Sequence, residues 1–215
     1  DVYKRQVVSW SGIDYYGNWK ALMYQSKRAF APILINAIKE GDDLCVYLVS
    51  DELQDYDGVR LDVELMDFDG KAHGKWTQSG MLAANSSVLF MKKRADELQG
   101  KLSAATSLLH FTLKAKNGAT LADDVFYFAY PKDQKLPEAN IETSVRRRGD
   151  AIEMTLKTDK LARDIFVEVP VQGVRFTDNF FDLLPGQRKK ITITSPEGHS
   201  LNDFTFRLHQ LGGVR

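Results

Sequence analysis

From Ala31 onward, apolar and polar residues alternate with a period of two, interrupted only by short turn sequences. Successive side chains of a strand point to opposite faces, so this pattern calls for strands that bury one face. Residues 32–38, 44–50, 59–67, 75–79, 87–91, 107–115 and 124–130 read as strands. Glu40-Gly41-Asp42-Asp43, Asp69-Gly70 and Asn117-Gly118 supply turns between them. Pro131-Lys132-Asp133-Gln134-Lys135-Leu136-Pro137 is polar, bracketed by prolines and without periodicity, and reads as a linker. A second series follows at 141–147, 151–158, 165–169, 188–194 and 204–209, with a turn at Gly149-Asp150. The count and spacing predict an all-β chain of two sandwiches, at 31–131 and 138–215, joined by 132–137.

Two stretches depart from this rhythm. Ahead of Ala31, Asn18 is a good helix N-cap, and Trp19, Leu22, Met23, Ser26 and Phe30 recur on one helix face. Pro32 stops this helix, and the Val7–Ser11 run before it reads as a short buried strand. Residues 1–30 therefore look like the tail of a different domain. The other stretch is Thr177-Asp178-Asn179-Phe180-Phe181-Asp182-Leu183-Leu184-Pro185-Gly186. Its four large apolar residues are too many for a surface loop, and they lack strand alternation. The segment reads as a corner crossing between two sheets, its side chains plugging one end of the core.

Composition narrows the classes of function. Lys+Arg and Asp+Glu are 29 each, so a nucleic-acid or anionic-membrane partner has no support from net charge. The single Cys45, in an apolar strand run, excludes a disulfide framework and a thiolate metal site and reads as a buried inert thiol. No window approaches the ~20 apolar residues of a membrane span. The chain opens Asp1-Val2-Tyr3-Lys4-Arg5-Gln6, without Met and without an apolar signal core, as a fragment or processed chain would.

No catalytic motif stands out. His73, His110, His199 and His209 lack ligand spacing, and no metal or cofactor is expected. Acidic clusters occur at Asp51-Glu52, Asp55, Asp57, Asp67-Asp69 and Asp123-Asp124. They are weighed as glycosidase carboxylates or a calcium loop, but tight-turn chemistry explains them better. Arg146-Arg147-Arg148 fits a solvated edge strand that resists pairing. Trp76, Tyr47, Tyr56, Tyr127 and Tyr130 are the residues a carbohydrate-binding face would use, and each is equally at home in a sheet. A carbohydrate-binding module and an interaction or adhesion module thus stay open as functions.

Three stretches carry a family resemblance. Residues 7–22, Val-Val-Ser-Trp-Ser-Gly-Ile-Asp-Tyr-Tyr-Gly-Asn-Trp-Lys-Ala-Leu, resemble the exit of the (β/α)8 barrel in β-mannosidases of glycoside hydrolase family 2. Gln25 to Leu34 resembles the last barrel helix running into the next domain, and Asp178 to Gly186 resembles that family's C-terminal immunoglobulin-like domain. The resemblance implies two immunoglobulin-like sandwiches preceded by a strand-helix remnant of the barrel. It implies a parent that releases terminal β-linked mannose with retention, using two glutamates upstream of this chain, so no catalytic residue is expected here. Trp10 is the candidate substrate-binding residue: at a barrel mouth its ring can stack on the apolar face of a sugar, and packing under the barrel is the equal alternative. Where the family has Trp-Pro, this chain has Arg5-Gln6, which marks 1–6 as non-native in character. The partner implied is the missing barrel, with the Trp19, Leu22, Met23, Phe30 face free for self-association, and a periplasmic or secreted parent is expected.

Overall fold

The computed structural model describes residues 11–195, 198, 201 and 204–212. Residues 1–10, Trp10 among them, and His199 lie outside the described residues. Helix α1 (Ala21–Ala29) is followed by β1 (Ile33–Glu40), β2 (Asp43–Ser50), β3 (Tyr56–Asp67), β4 (Ala72–Leu82) and β5 (Ser86–Arg94). The short helix α2 (Ala95–Gln99), β6 (Ser107–Lys114) and β7 (Thr120–Tyr127) complete the first half. All pairings are antiparallel, in sheets ordered β1-β2-β5 and β4-β3-β6-β7. Leu44, Val46 and Leu48 of one sheet and Leu61, Val63, Leu109 and Phe111 of the other share one core. The alternation read from the sequence is thus the inward face of each strand.

The second half holds β8 (Ile141–Arg148), β9 (Ala151–Thr158), β10 (Ala162–Glu168), β11 (Arg175–Phe176), β12 (Phe181–Leu183), β13 (Arg188–Thr194) and β14 (Arg207–Leu211). Its sheets are ordered β11-β13-β9-β8 and β12-β10-β14. Met154, Leu156 and Ile191 meet Ile165, Val167, Phe181 and Leu183 between them. Strand β8 is an edge, and Arg146, Arg147 and Arg148 stand on it exposed, as a charged edge should. The last expected strand shifts: Phe204 to Phe206 precede β14, and the rings of Phe204 and Phe206 stack on each other at 5.8 Å instead.

The Thr177–Gly186 segment does cross between sheets, leaving β11 of one and entering as β12 of the other. Asn179, 1% exposed, holds the crossing. Its side-chain oxygen accepts from the Val167 N–H at 2.8 Å, and its amide donates to the Val167 carbonyl at 3.0 Å. Those two groups belong to β10, so one side chain satisfies the backbone that a third strand would otherwise engage. The next residue, Phe180, takes a left-handed φ of 51°, which reverses the chain within one residue. Phe181, Leu183 and Leu184 then turn inward and are buried, while Phe180 stays half-buried on the outside of the sandwich.

The two sandwiches meet across a mixed seam. Met66, Phe68 and Leu108 of the first pack with Leu161 and Leu184 of the second. Beside this apolar cluster the Tyr127 hydroxyl donates to Asp182 at 2.6 Å, and the Arg163 guanidinium lies 4.1 Å over the Tyr127 ring. Arg163 also donates to Gln134 at 2.6 Å, tying the 132–137 stretch to the second sandwich. Backbone bonds join Leu161 N–H to Phe68 O and Lys135 N–H to Ala105 O, both at 2.8 Å. Gly70, at φ 91°, sits so close to Pro185 that a Cβ there would meet the ring at 2.5 Å.

Replacing Asn179 by Ala leaves the Val167 N–H and carbonyl buried without partners. Each such group costs about 1–3 kcal/mol, so Asn179→Ala should lower stability by about 2–4 kcal/mol in denaturant unfolding. A loss below about 0.5 kcal/mol would refute this role.

Candidate functional site

The segment preceding the first sandwich is tied to the second, through contacts of residues 12–28. A tight loop starts it. The Asp14 carboxylate accepts from the N–H groups of Tyr16 (2.9 Å) and Asn18 (2.8 Å) and from the Asn18 amide (3.0 Å). Burial acts to raise the Asp14 carboxyl, but these hydrogen bonds and Lys20 outweigh it and hold the group below its ordinary value. Gly17 closes the turn at φ 81°, and its carbonyl accepts from Arg175. The Asn18 side-chain oxygen accepts from the Gly173 N–H at 3.0 Å. Pinned this way, the loop holds Tyr15 at 96% and Tyr16 at 53% exposure, ring edge to ring face at 5.3 Å.

Asn18 is not the helix cap that its position predicts. Its side chain is committed to Asp14 and Gly173, so α1 starts later, at Ala21, with Lys20 as an N-cap whose side chain makes no capping bond. The expected apolar stripe is also divided. Leu22 and Phe30 are exposed at 56% and 84%, and Met23 folds over Gly12. Trp19 stays half-buried, bridged to Ile13 within the loop. The buried residue is Tyr24, which the periodicity passes over because its hydroxyl counts as polar. Its ring rests against Trp19 at 5.6 Å and Phe180 at 5.8 Å, and Phe180 stacks on Phe166 at 4.5 Å. Burial, then the Asp178 charge, pushes the Tyr24 hydroxyl up to about 12. One turn on, Lys27 donates to the Thr177 carbonyl at 2.7 Å, and Arg28 reaches Asp178 at 2.5 Å and the Phe180 carbonyl at 2.6 Å.

Between this segment and the sandwich lies a cavity of about 570 Å³, with Asp14, Asn18 and Trp19 on one side and Phe166, Glu168 and Phe180 on the other. Aromatic walls with a few polar groups suit a ligand or a packed partner alike. Its carboxylates are already engaged, Asp14 within its loop and Glu168 with His209 at 2.8 Å. The five rings considered for a carbohydrate face are scattered. Trp76 packs on the first core, Tyr127 lies in the seam, and Tyr130 is exposed beyond β7. Tyr47 bonds Glu40 and Tyr56 accepts from Gln54. Cys45 is buried in β2, its thiol pushed up by burial and by Glu40. Among the described residues no group of three or more His, Cys, Asp or Glu is placed to hold a metal ion.

A family model described as a mannosidase Ig/CBM-like domain matches residues 42–133, and one described as an Ig-fold domain matches residues 136–210. A β-mannosidase of Capra hircus is 28% identical over 182 residues, which are 82% of this chain and 21% of that protein. The chain therefore spans about a fifth of that relative. A solved β-D-mannosidase from Dictyoglomus thermophilum, 26% identical, superposes with a TM-score of 0.77 over 97% of this chain and 25% of its own. An exo-chitosanase of Amycolatopsis orientalis, 18% identical with a TM-score of 0.63, covers 94% of this chain and 28% of its own and shares the fold.

Chemistry on a glycosidic bond runs through carboxyl groups, so the acidic clusters must be placed as well. Asp55 accepts the Ala84 N–H, and Asp67 binds the Lys71 N–H and His73. Asp69 reaches across the seam to Lys160 at 3.4 Å. Asp123 faces His110 at 3.8 Å, which leaves Asp124 as the unusual member. Opposite Phe111 on β7, its carboxyl is pushed up to about 6 by burial, against a hydrogen bond from the Val125 N–H. A carboxyl raised in the folded state takes up its proton there before the unfolded chain does. Its contribution to stability therefore falls as pH rises from about 4 to about 6 and is most unfavourable above that window. Asp124→Asn should raise the unfolding midpoint at pH 7 and flatten its pH dependence between pH ~4 and ~6. Parallel profiles for both proteins would contradict this.

Proposed function

Since this chain belongs to the immunoglobulin-like domains of β-mannosidases, we propose that it is the non-catalytic C-terminal portion of a β-mannosidase-like glycoside hydrolase. The observation that carries the reading is the pairing of two such domains, at 42–133 and 136–210, with a span of only 21% of the goat relative. The parent releases terminal β-linked mannose with retention, through two glutamates outside this chain. That chemistry needs two carboxyl groups ~5 Å apart across one sugar ring. Asp14 and Glu168, each engaged elsewhere, do not offer such a pair.

In this reading residues 1–30 end the catalytic barrel, 31–131 and 138–215 are its two supporting sandwiches, and 132–137 joins them. On the same reading the parent uses Trp10 as a substrate-binding residue, through stacking on sugar. The exposed Ile13, Tyr15, Leu22 and Phe30 form the surface on which the barrel rests. A carbohydrate-binding function without catalysis is the second reading; the cavity walled by Trp19, Phe166 and Phe180 favours it.

Incubated with a chromogenic β-mannoside, the purified chain should give no turnover above blank; turnover would overturn the assignment. In sedimentation the chain should associate with itself through the face left uncovered. Leu22→Asp with Phe30→Asp should shift it toward monomer. A wild-type chain that stays monomeric at every concentration would count against that surface.

A further inference from the structure

The corner at Thr177–Phe180 has the makings of a receptor. Arg28 spreads its planar head over three acceptors: one nitrogen meets the Asp178 carboxylate at 2.5 Å and the Asn179 carbonyl at 3.3 Å, and the other meets the Phe180 carbonyl at 2.6 Å. Each of these acceptors is also held from within the second sandwich. The two carbonyls face outward because Asn179 is tied to Val167 inside the sandwich and Phe180 turns at φ 51°. Asp178 is held by the Asn179 N–H at 2.9 Å and by Lys189 at 2.6 Å. Tyr24, one helical turn before Arg28 and on the same face, sets its ring against Phe180.

We propose that this corner is a preformed guanidinium site, specific for arginine, by which the second sandwich grips residues 12–29. The segment is joined in sequence to β1 of the first sandwich, yet Arg175 on Gly17, Gly173 on Asn18 and the corner on Lys27 and Arg28 all belong to the second. The C-terminal domain thus fixes the loop that presents Tyr15 and Tyr16. For the parent this rests on reading residues 12–29 as the end of the barrel: Arg28 becomes a positioning residue for that loop, and the C-terminal sandwich acts on the barrel through it. A lysine ammonium, compact and unforked, cannot span three acceptors in this geometry.

Hydrogen exchange on the whole chain tests the site. Arg28→Ala should speed amide exchange across residues 12–29 about tenfold or more, and Arg28→Lys nearly as much, with β2 and β9 unchanged as internal references. Lys27→Ala, which loses a single carbonyl contact, should change far less. Millimolar methylguanidinium should restore protection to the Arg28→Ala chain, and methylammonium should not. Wild-type protection in Arg28→Lys, or rescue by both cations or by neither, would overturn the proposal. If Arg28→Ala also loosens β9, Arg28→Lys decides, because it keeps a positive charge beside Asp178. Failure here leaves the absence of β-mannoside turnover untouched, so the two readings fall separately.

Discussion

Two hydrogen bonds between the Asn179 side chain and the backbone of Val167 fix everything that meets at the second sandwich's corner. In water such an amide would gain little, but at 1% exposure its bonds replace solvent that has no access. With Asn179 fixed, its neighbours have no choice of direction. Asp178 points to the helix, Phe180 to Tyr24 and Phe166, Phe181 and Leu183 to the core, and Asp182 to Tyr127 of the first sandwich. A short segment thereby serves the N-terminal segment, the second core and the seam at once. Its sequence is dense because each residue has a different neighbour.

The seam follows the same economy of groups. Asp182 accepts from the Tyr127 hydroxyl and from the Asp164 N–H, and lies 3.4 Å from the Arg163 guanidinium. Burial is the first cause that pushes the Tyr127 hydroxyl up, with Asp182 next, so the phenol remains a donor throughout the ordinary pH range. A charged group placed between two apolar cores specifies one relative orientation, since any sliding would strand Asp182 or Arg163 without a partner. Apolar contact among Phe68, Leu161 and Leu184 alone would not be so selective.

Strands were legible in the sequence because their signal is local: an inward residue every second position, as at Leu44, Val46 and Leu48. The edge role of Arg146–Arg148 and the sheet crossing at Thr177–Gly186 were legible for the same reason, being written in adjacent residues. What escaped is non-local. Tyr24 is buried by Trp19 and Phe180, and nothing within its own helix announces a partner so far along the chain. Helix α2 is only five residues, too short for a period to show, although Leu98 is fully buried. Asn18 has a cap's position in the sequence, but Asp14 and Gly173, neither adjacent to it, claim its side chain.

Arg28 and Asp178 stand 150 residues apart, and that separation has a consequence for how the chain is made. During synthesis at about 5–20 residues per second, the helix emerges roughly 8–30 s before its receptor exists. Tyr24 must spend that interval without the ring that covers it. Docking of the first segment therefore waits for that corner, and it closes a loop that contains the whole first sandwich. The entropy of that closure grows only slowly with length, and a folded sandwich inside the loop shortens it further. The segment delivered first is thus seated only after the corner that receives it, while the sandwiches between them fold in the order of their synthesis.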